Sequence, residues 1–275
     1  MQNFRAPAFR LPRRGVWCFH PGMKSVPLAR LVQHSDRLLR HRDFLDWDGA
    51  VNGLQAENDG RVTRLAAAVD ARLATLEMAA AQGADLLLVH HGLFWTPTHP
   101  WTGRRHAVLR LVIQNNLAVY SSHLPLDAHP RLGNNARLAA ALGLTRLRPF
   151  FKQKGAFTGF QSVTRLPRAE LADRLALATG RPPVVLPGGP ALCRRIGIVT
   201  GGAGSELRQA AAEGVDTFVT GEGPHWTHAM ADELGLNVLY GGHYATETFG
   251  VKALAEHLSN RFGLPWVFLD HPTGL

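Results

Sequence analysis

Two stretches of this chain repeat one another. Residues Arg64 to Trp95 align without a gap on Arg195 to Trp226 at an offset of 131, superposing Gly83 on Gly214, Asp85 on Asp216, Gly92 on Gly223 and Trp95 on Trp226. Further along the offset falls to 120, and Tyr120-Ser-Ser-His123 lies on Tyr240-Gly-Gly-His243, with Asp127 on Glu247. Duplicated folds commonly set their equivalent loops around a shared pseudo-twofold axis. Each copy ends a strand with His-x-x-x-carboxylate, so the two pairs are expected to face one another across a single site, an arrangement suited to two metal ions.

Strand and helix signals alternate around these anchors. In the first copy 62–69 reads as a strand, an Ala-rich helix covers 71–81 and closes at Gly83, 84–89 is a wholly apolar strand, and a helix at 109–115 precedes a strand at 117–121. The second copy gives strand 195–200, helix 205–212, strand 215–220, helix 227–234, strand 237–240 and helix 251–261. Uninterrupted apolar strands belong to sheets covered on both faces, and the alternation defines an α/β chain. An amphipathic helix is expected over 26–42 and a turn-rich connection over 46–55. Between the copies, 150–190 carries a strand at 157–163, a helix at 168–179 behind Pro167 and an extended Pro182-Pro-Val-Val-Leu-Pro187. The expected organisation is one body over 23–275, made of pseudo-repeats 23–149 and 191–275 joined by the connector 150–190. The change of offset means eleven extra residues in the first copy between Trp95 and Tyr120, expected to form a loop near the site.

Composition narrows the function classes. With 275 residues, 45% of them hydrophobic, the chain can bury a full core. Its two cysteines, Cys18 and Cys193, make neither a C-x-x-C pair nor a disulfide framework, which excludes thiolate metal sites and fits a reducing compartment. No apolar run approaches the ~20 residues of a membrane span, and the start lacks a signal-peptide core. The expectation is a soluble, cytoplasmic protein. Of the positive charges behind the formal net charge of +9, four are Arg5, Arg10, Arg13 and Arg14. That opening, residues 1–22, has no acidic residue and reads as a flexible basic tail, a weak targeting segment or an extension upstream of a start at Met23. Without it the excess is modest, so charge does not mark the body as a nucleic-acid binder.

Residues able to carry chemistry gather where strands end, the place at which open α/β sheets collect ligands. The doublet His90-His91 closes the run Leu86-Leu-Leu-Val89 before Gly92. Adjacent strand residues point to opposite faces, so both imidazoles reach one site only if the chain is leaving the strand. A polar strand end with one packed and one solvated ring is the other reading. Asp127 fits either a ligand or a cap for the coming turn. His243 and Glu247 share a face if 243–247 is helical, as a metal pair or an ordinary helix-surface pair. The combination carries the argument: three strand-end clusters from two copies supply imidazoles and carboxylates without thiolate, a donor set for zinc, iron, manganese, cobalt or nickel. Two such ions lower the pKa of a shared water enough to make a nucleophile near neutral pH, so hydrolysis is the expected chemistry. Glu222 stands at the repeat position of His91 and fits either a supporting group of the same cavity or a turn carboxylate. Gly201-Gly-Ala-Gly204-Ser205 lacks the lysine of a P-loop and is a weak phosphate signature. His225 and His228, three apart before a helix, rank below these as ligands, and the loop residues His99 and His106 read as solvated.

Together these residues resemble the Nif-three-like dinuclear metal-centre family, also known as GTP cyclohydrolase I type 2 homologues. The resemblance runs from about Met23 to Phe268 and rests on Asn52-Gly-Leu-Gln55, the stretch from Gly83 to Trp95, the stretch from His123 to Gly143, Thr220-Gly-Glu222 and the stretch from Gly242 to Gly250. It implies metal ligands at His90, His91, Asp127, His243 and Glu247 for two divalent transition-metal ions, with coordination positions left for water or substrate. For His123 it implies a supporting or proton-donating role. The implied fold is a pair of duplicated, interlocked three-layer α/β/α units with mixed sheets, and the implied assembly is a toroidal homohexamer. The implied function is a metal-dependent, cyclohydrolase-like hydrolase of a small nucleotide-like or anionic substrate. The alternative is a non-catalytic metal-holding scaffold or metallochaperone that meets other proteins.

Overall fold

The computed structural model describes residues 24–95 and 97–275; the segment 1–22, with its tail reading, and Cys18 lie outside the described residues. In chain order these residues form β1 (Val26–Pro27), α1 (Leu28–Leu39), β2 (Gly53–Ala56), β3 (Arg61–Val62), β4 (Leu65–Asp70), α2 (Leu73–Ala81), β5 (Leu86–His91), α3 (Gly103–Gln114), β6 (Ala118–Ser121), α4 (Leu124–Asp127) and α5 (Asn134–Ala141). They continue with β7 (Arg148–Gln153), β8 (Ala156–Pro167), α6 (Arg168–Thr179), β9 (Val184–Pro187), β10 (Leu192–Ile198), α7 (Leu207–Ala212), β11 (Thr217–Thr220), α8 (Thr227–Leu234), β12 (Asn237–Tyr240), α9 (His243–Phe262) and β13 (Trp266–Phe268).

Two mixed sheets carry the fold. One has the order β13-β4-β5-β6-β2, parallel except for β2; the other has the order β7-β8-β10-β11-β12-β9, parallel only through β10, β11 and β12. Successive strand residues point to opposite faces, and here both faces are buried. Leu65, Ala67, Leu86, Leu88 and Tyr120 pack with α1 and α9, whereas Ala66, Ala68, Leu87, Val89 and Val119 pack with α2 and α3. In the second sheet Ile196, Ile198, Val219 and Leu239 meet α5 and α6, and Phe218 and Val238 meet α7 and α8. Each sheet is the middle layer of an α/β/α sandwich.

The sandwiches exchange elements. Helix α9, from the second copy, covers the first sheet, and β13 adds a parallel strand at its edge with Trp266 opposite Leu65. Helix α5, from the first copy, covers the second sheet. The segment 150–190 does more than connect: with the neighbouring residues 148 and 149 it supplies β7, β8, α6 and β9.

Helix α9 begins at His243, two turns earlier than its sequence suggests. Its opening turns contain Thr246, Thr248 and Gly250, poor helix formers, so tertiary packing holds them; Thr246, Glu247 and Gly250 are buried. A Cβ at Gly250 would lie 2.8 Å from Asn134 Oδ1, the atom that accepts the Gly250 N–H, so the close approach of α5 requires glycine there. The eleven extra residues of the first copy are 96–106, of which 97–102 are irregular and 103–106 form a first turn of α3 that α8 lacks.

The duplication extends to single hydrogen bonds. Asp85 Oδ2 accepts from the backbone N–H groups of Thr63 and Arg64 at 2.6 and 3.1 Å, and its repeat mate Asp216 accepts from those of Arg194 and Arg195, both at 2.9 Å. In each copy the carboxylate before one parallel strand ties down the strand beside it. Asp85 is 5% exposed and its bonds are partly buried, so Asp85→Ala leaves part-buried N–H donors without acceptors. Urea denaturation should show a loss of about 1–3 kcal/mol, and a smaller loss for Asp216→Ala, whose site is wetter. An unchanged midpoint for Asp85→Ala would refute this role.

Candidate metal centre

Strand β5 remains extended through His91, which pairs with Asp70 on β4. The doublet therefore sits inside the strand end, yet its rings meet on one side, 4.7 Å apart at 44°. Beyond β6, α4 is a single turn with proline in its opening positions, and it carries Asp127 back toward His90. Beyond β12, His243 opens α9 and Glu247 follows one turn later on the same face.

All five residues expected as ligands come together, and His123 comes with them. Glu247 Oε2 lies 3.2 Å from His243 Nε2 and 3.3 Å from His91 Nε2, and His90 Nε2 lies 3.5 Å from both Glu247 Oε1 and Asp127 Oδ2. The His123 ring is 4.9 Å from that of His90 and 5.6 Å from that of His91.

Each imidazole is held from outside through Nδ1. His90 Nδ1 is 3.0 Å from the Ser122 carbonyl, His91 Nδ1 2.9 Å from Asp70, His123 Nδ1 2.7 Å from Asp46 and His243 Nδ1 2.8 Å from Glu222. Carbonyl and carboxylate oxygens only accept, so each Nδ1 donates and each Nε2 faces the centre, where its lone pair becomes available to a metal once its proton leaves. The Asn52-Gly-Leu-Gln55 segment, which from Gly53 onward is strand β2 paired with β6 rather than the expected turn, braces the same groups: Asn52 donates to Asp46 at 2.8 Å and accepts the His123 N–H at 2.7 Å, and Gln55 accepts the Leu93 N–H at 2.6 Å. Of these outer acceptors the sequence singles out only Glu222. Asp46 and Asp70 carry a faint signal, since Asp70 ends the strand beside β5 and Asp46 opens the turn before Asn52.

Donor atoms brought together in this way need positive charge among them, from protons on the imidazoles or from a metal ion. His90 Nε2 and Glu247 Oε2 are buried without a hydrogen-bond partner. Burial disfavours the imidazolium of His90, but Asp127 and Glu247 outweigh it and raise its pKa to about 10. Burial likewise opposes protonation of His243, and Glu247 with Glu222 raises its pKa to about 9. Burial acts to raise the Glu247 carboxyl, yet His91, His90 and His243 hold it well below the usual range. Asp127 moves up, through burial and its proximity to Glu247. The nitrogen and oxygen donors of the centre fit a transition-metal ion. Two overlapping triads, His90/His91/His123 and His91/His243/Glu247, each bring three donor atoms within 4.8 Å of one another and could hold such an ion.

A cavity of about 580 Å³ opens over the centre, lined by His91, His123, Asp127, His243 and Glu247 at its base. The Gly201-Gly-Ala-Gly204-Ser205 run borders it by pressing on the centre: a Cβ at Gly201 would overlap Glu247 Oε1. His99, His225 and His228 are exposed and stand apart from the cavity lining. Cys193 packs in the core of the second sheet.

The chain belongs to the Duf34/NIF3 (NGG1p interacting factor 3) family, whose sequence model matches residues 26–273. A Deinococcus radiodurans protein named GTP cyclohydrolase 1 type 2 homolog is 45% identical over 232 residues, 83% of this chain and 88% of its own length. A Halobacterium salinarum protein of the same name is 44% identical over 249 residues, 88% of this chain and 97% of its own. Among solved structures, TTHA1606 from Thermus thermophilus superposes with a TM-score of 0.84 at 44% identity, covering 91% of this chain and 100% of that one. Among the described residues no helix is long and apolar enough to cross a membrane.

Equilibrium dialysis against zinc or manganese should show tight binding by the wild type. Asp70→Asn should weaken it roughly 10–100-fold, the usual consequence of removing the acceptor behind a ligating histidine. Equal affinity in the variant would mean that the outer acceptors do not organise the centre.

Proposed function

We propose that this protein is a dinuclear metal-dependent hydrolase acting on a small anionic, nucleotide-like substrate. The reading is carried by one observation: four imidazole Nε2 atoms and two buried carboxylates point inward while every ring is fixed from behind. His90, His91, Asp127, His243 and Glu247 would hold two divalent ions, drawn from zinc, iron, manganese, cobalt or nickel. Bound there, the ions would supply Lewis acidity and a water that is nucleophilic near neutral pH.

The protein's own groups supply position and proton handling. His123 is proposed as the general acid or base. Burial pushes the Asp46 carboxyl up, but the bonds from His123 and Asn52 hold it below its ordinary range, so it stays ionised and keeps the His123 proton on Nδ1. His123 Nε2 is left facing the other two rings of its triad, free to take or return a proton. The shared name of the relatives, GTP cyclohydrolase 1 type 2 homolog, supports ring opening by water as the reaction class.

The test uses metal-loaded protein and a panel of nucleotides, phosphodiesters and cyclic amides. His91→Ala and Asp127→Ala should lose metal and turnover together. His123→Gln should keep its metal and lose about 10²–10⁴ in rate, the range for a lost acid–base group. Retained metal with no turnover on any substrate would favour the scaffold or metallochaperone reading.

A further inference from the structure

Both halves of the molecule build the mouth of the cavity. On one rim stand Trp47, in the irregular segment between α1 and β2, and Trp95, just beyond β5; on the other, the β7–β8 hairpin carries Lys152 and Lys154. The rims touch where Lys154 Nζ lies 4.3 Å from the centroid of the Trp47 ring. Trp47 is nonetheless 48% exposed. Trp95 forms a wall between centre and mouth, nearly perpendicular to His91 at 71° and to His123 at 88°, with centroids 5.7 and 5.1 Å away.

Lysine at this hairpin tip is not explained by the turn. The two-residue loop Lys154-Gly155 has φ of 47° and 88°, the left-handed pair of a type I′ turn, in which the first place favours Asn, Asp or Gly. A left-handed lysine is a local cost that points to a use for its side chain. The hairpin is also well anchored. Phe151 is buried against Phe218, its N–H donates to Glu213 at 2.8 Å, and Gln209 donates to the Lys152 carbonyl at 3.0 Å. Both lysines are exposed, and neither ammonium pairs with a carboxylate among the described residues. Glu206, the other charged group at the rim, accepts from Ser205 Oγ at 3.1 Å.

We infer that the mouth binds a planar aromatic anion, its compact anionic group taken by Lys152 and Lys154 and its ring by Trp95 and Trp47. An ammonium is a compact charge suited to phosphate or carboxylate, and an indole is a broad face suited to stacking. The two sites are coupled through one contact, because an anion that draws Lys154 away uncovers the Trp47 face. A volume of about 580 Å³ matches small-molecule sites rather than the groove of a polymer. The inference rests on the reading of the centre as a substrate site and names the chemical class that site takes.

Calorimetric titration of the metal-loaded full chain tests it with three probes: naphthalene-1-phosphonate, which cannot be hydrolysed, inorganic phosphate and 1-naphthol. The phosphonate should bind at least about tenfold more tightly than either fragment, a difference of about 1.4 kcal/mol. The double variant Lys152→Ala/Lys154→Ala should weaken the phosphonate and phosphate about tenfold each, whereas Trp95→Ala should weaken the phosphonate and naphthol and leave phosphate unchanged. Lys154→Arg should restore most of the affinity. Metal content and the unfolding midpoint, measured on each variant, should stay at wild-type values and so separate a lost site from a lost fold. Wild-type affinity in the double lysine variant, or no phosphonate binding by the wild type, overturns the inference. Lysine-dependent binding without turnover on any substrate would sink the hydrolase reading and keep this site; turnover with lysine-independent binding would do the reverse.

Discussion

A carboxylate 3% exposed at the meeting point of three imidazoles is the interaction on which this structure depends. A charge buried as deeply as that of Glu247 is costly unless it is compensated. Here His90, His91 and His243 provide the compensation, and they in turn lean on Asp70, Glu222 and the Ser122 carbonyl. The result is a centre surrounded by acceptors, with its buried carboxylate matched by positive charge. A metal ion is proposed here from that electrostatic demand rather than from the presence of histidines as such.

The interlock is what brings Glu247 there. Helix α9 belongs by sequence to the second copy but buries Val251, Leu254, Ala255 and Leu258 against the first sheet, so its N-terminal turn arrives over the end of β5. Asn134 closes the arrangement from the other side, donating to Asp127 at 2.8 Å while accepting the Gly250 N–H at 2.6 Å. Neither half holds all the inward-facing groups. Formation of the centre and docking of the two sandwiches are therefore one event, and a change that loosens α9 from the first sheet should disturb the site before it disturbs either sheet.

Much of this can be read from the residues. The apolar run before His90 and His91 gives a sheet buried on both faces, and the paired offsets of 131 and 120 place His123 and Asp127 in register with His243 and Glu247. What stays hidden has physical causes. The early start of α9 is invisible because packing, not propensity, holds Thr246 to Gly250. Strand β7 is hard to see because Phe150 and Phe151 are both buried, which the left-handed φ of 62° at Phe151 permits and strict alternation forbids. Asp46 and Asp70 escape notice because each holds a histidine 77 or 21 residues away, and a lone aspartate near a turn looks like a cap. The full reach of His123 into the centre is likewise a matter of three-dimensional placement, since its spacing to Asp127 says nothing of its distance from His90.

The most direct measurement is diffraction from metal-loaded crystals on both sides of the absorption edge of the bound element. Two anomalous peaks are expected inside the ring of inward Nε2 and carboxylate oxygen atoms, roughly 3.5–4 Å apart as in two-metal catalytic sites, with Glu247 in contact with at least one of them. Peaks only at surface histidines, with the six central side chains in place and no metal among them, would contradict a metal centre there.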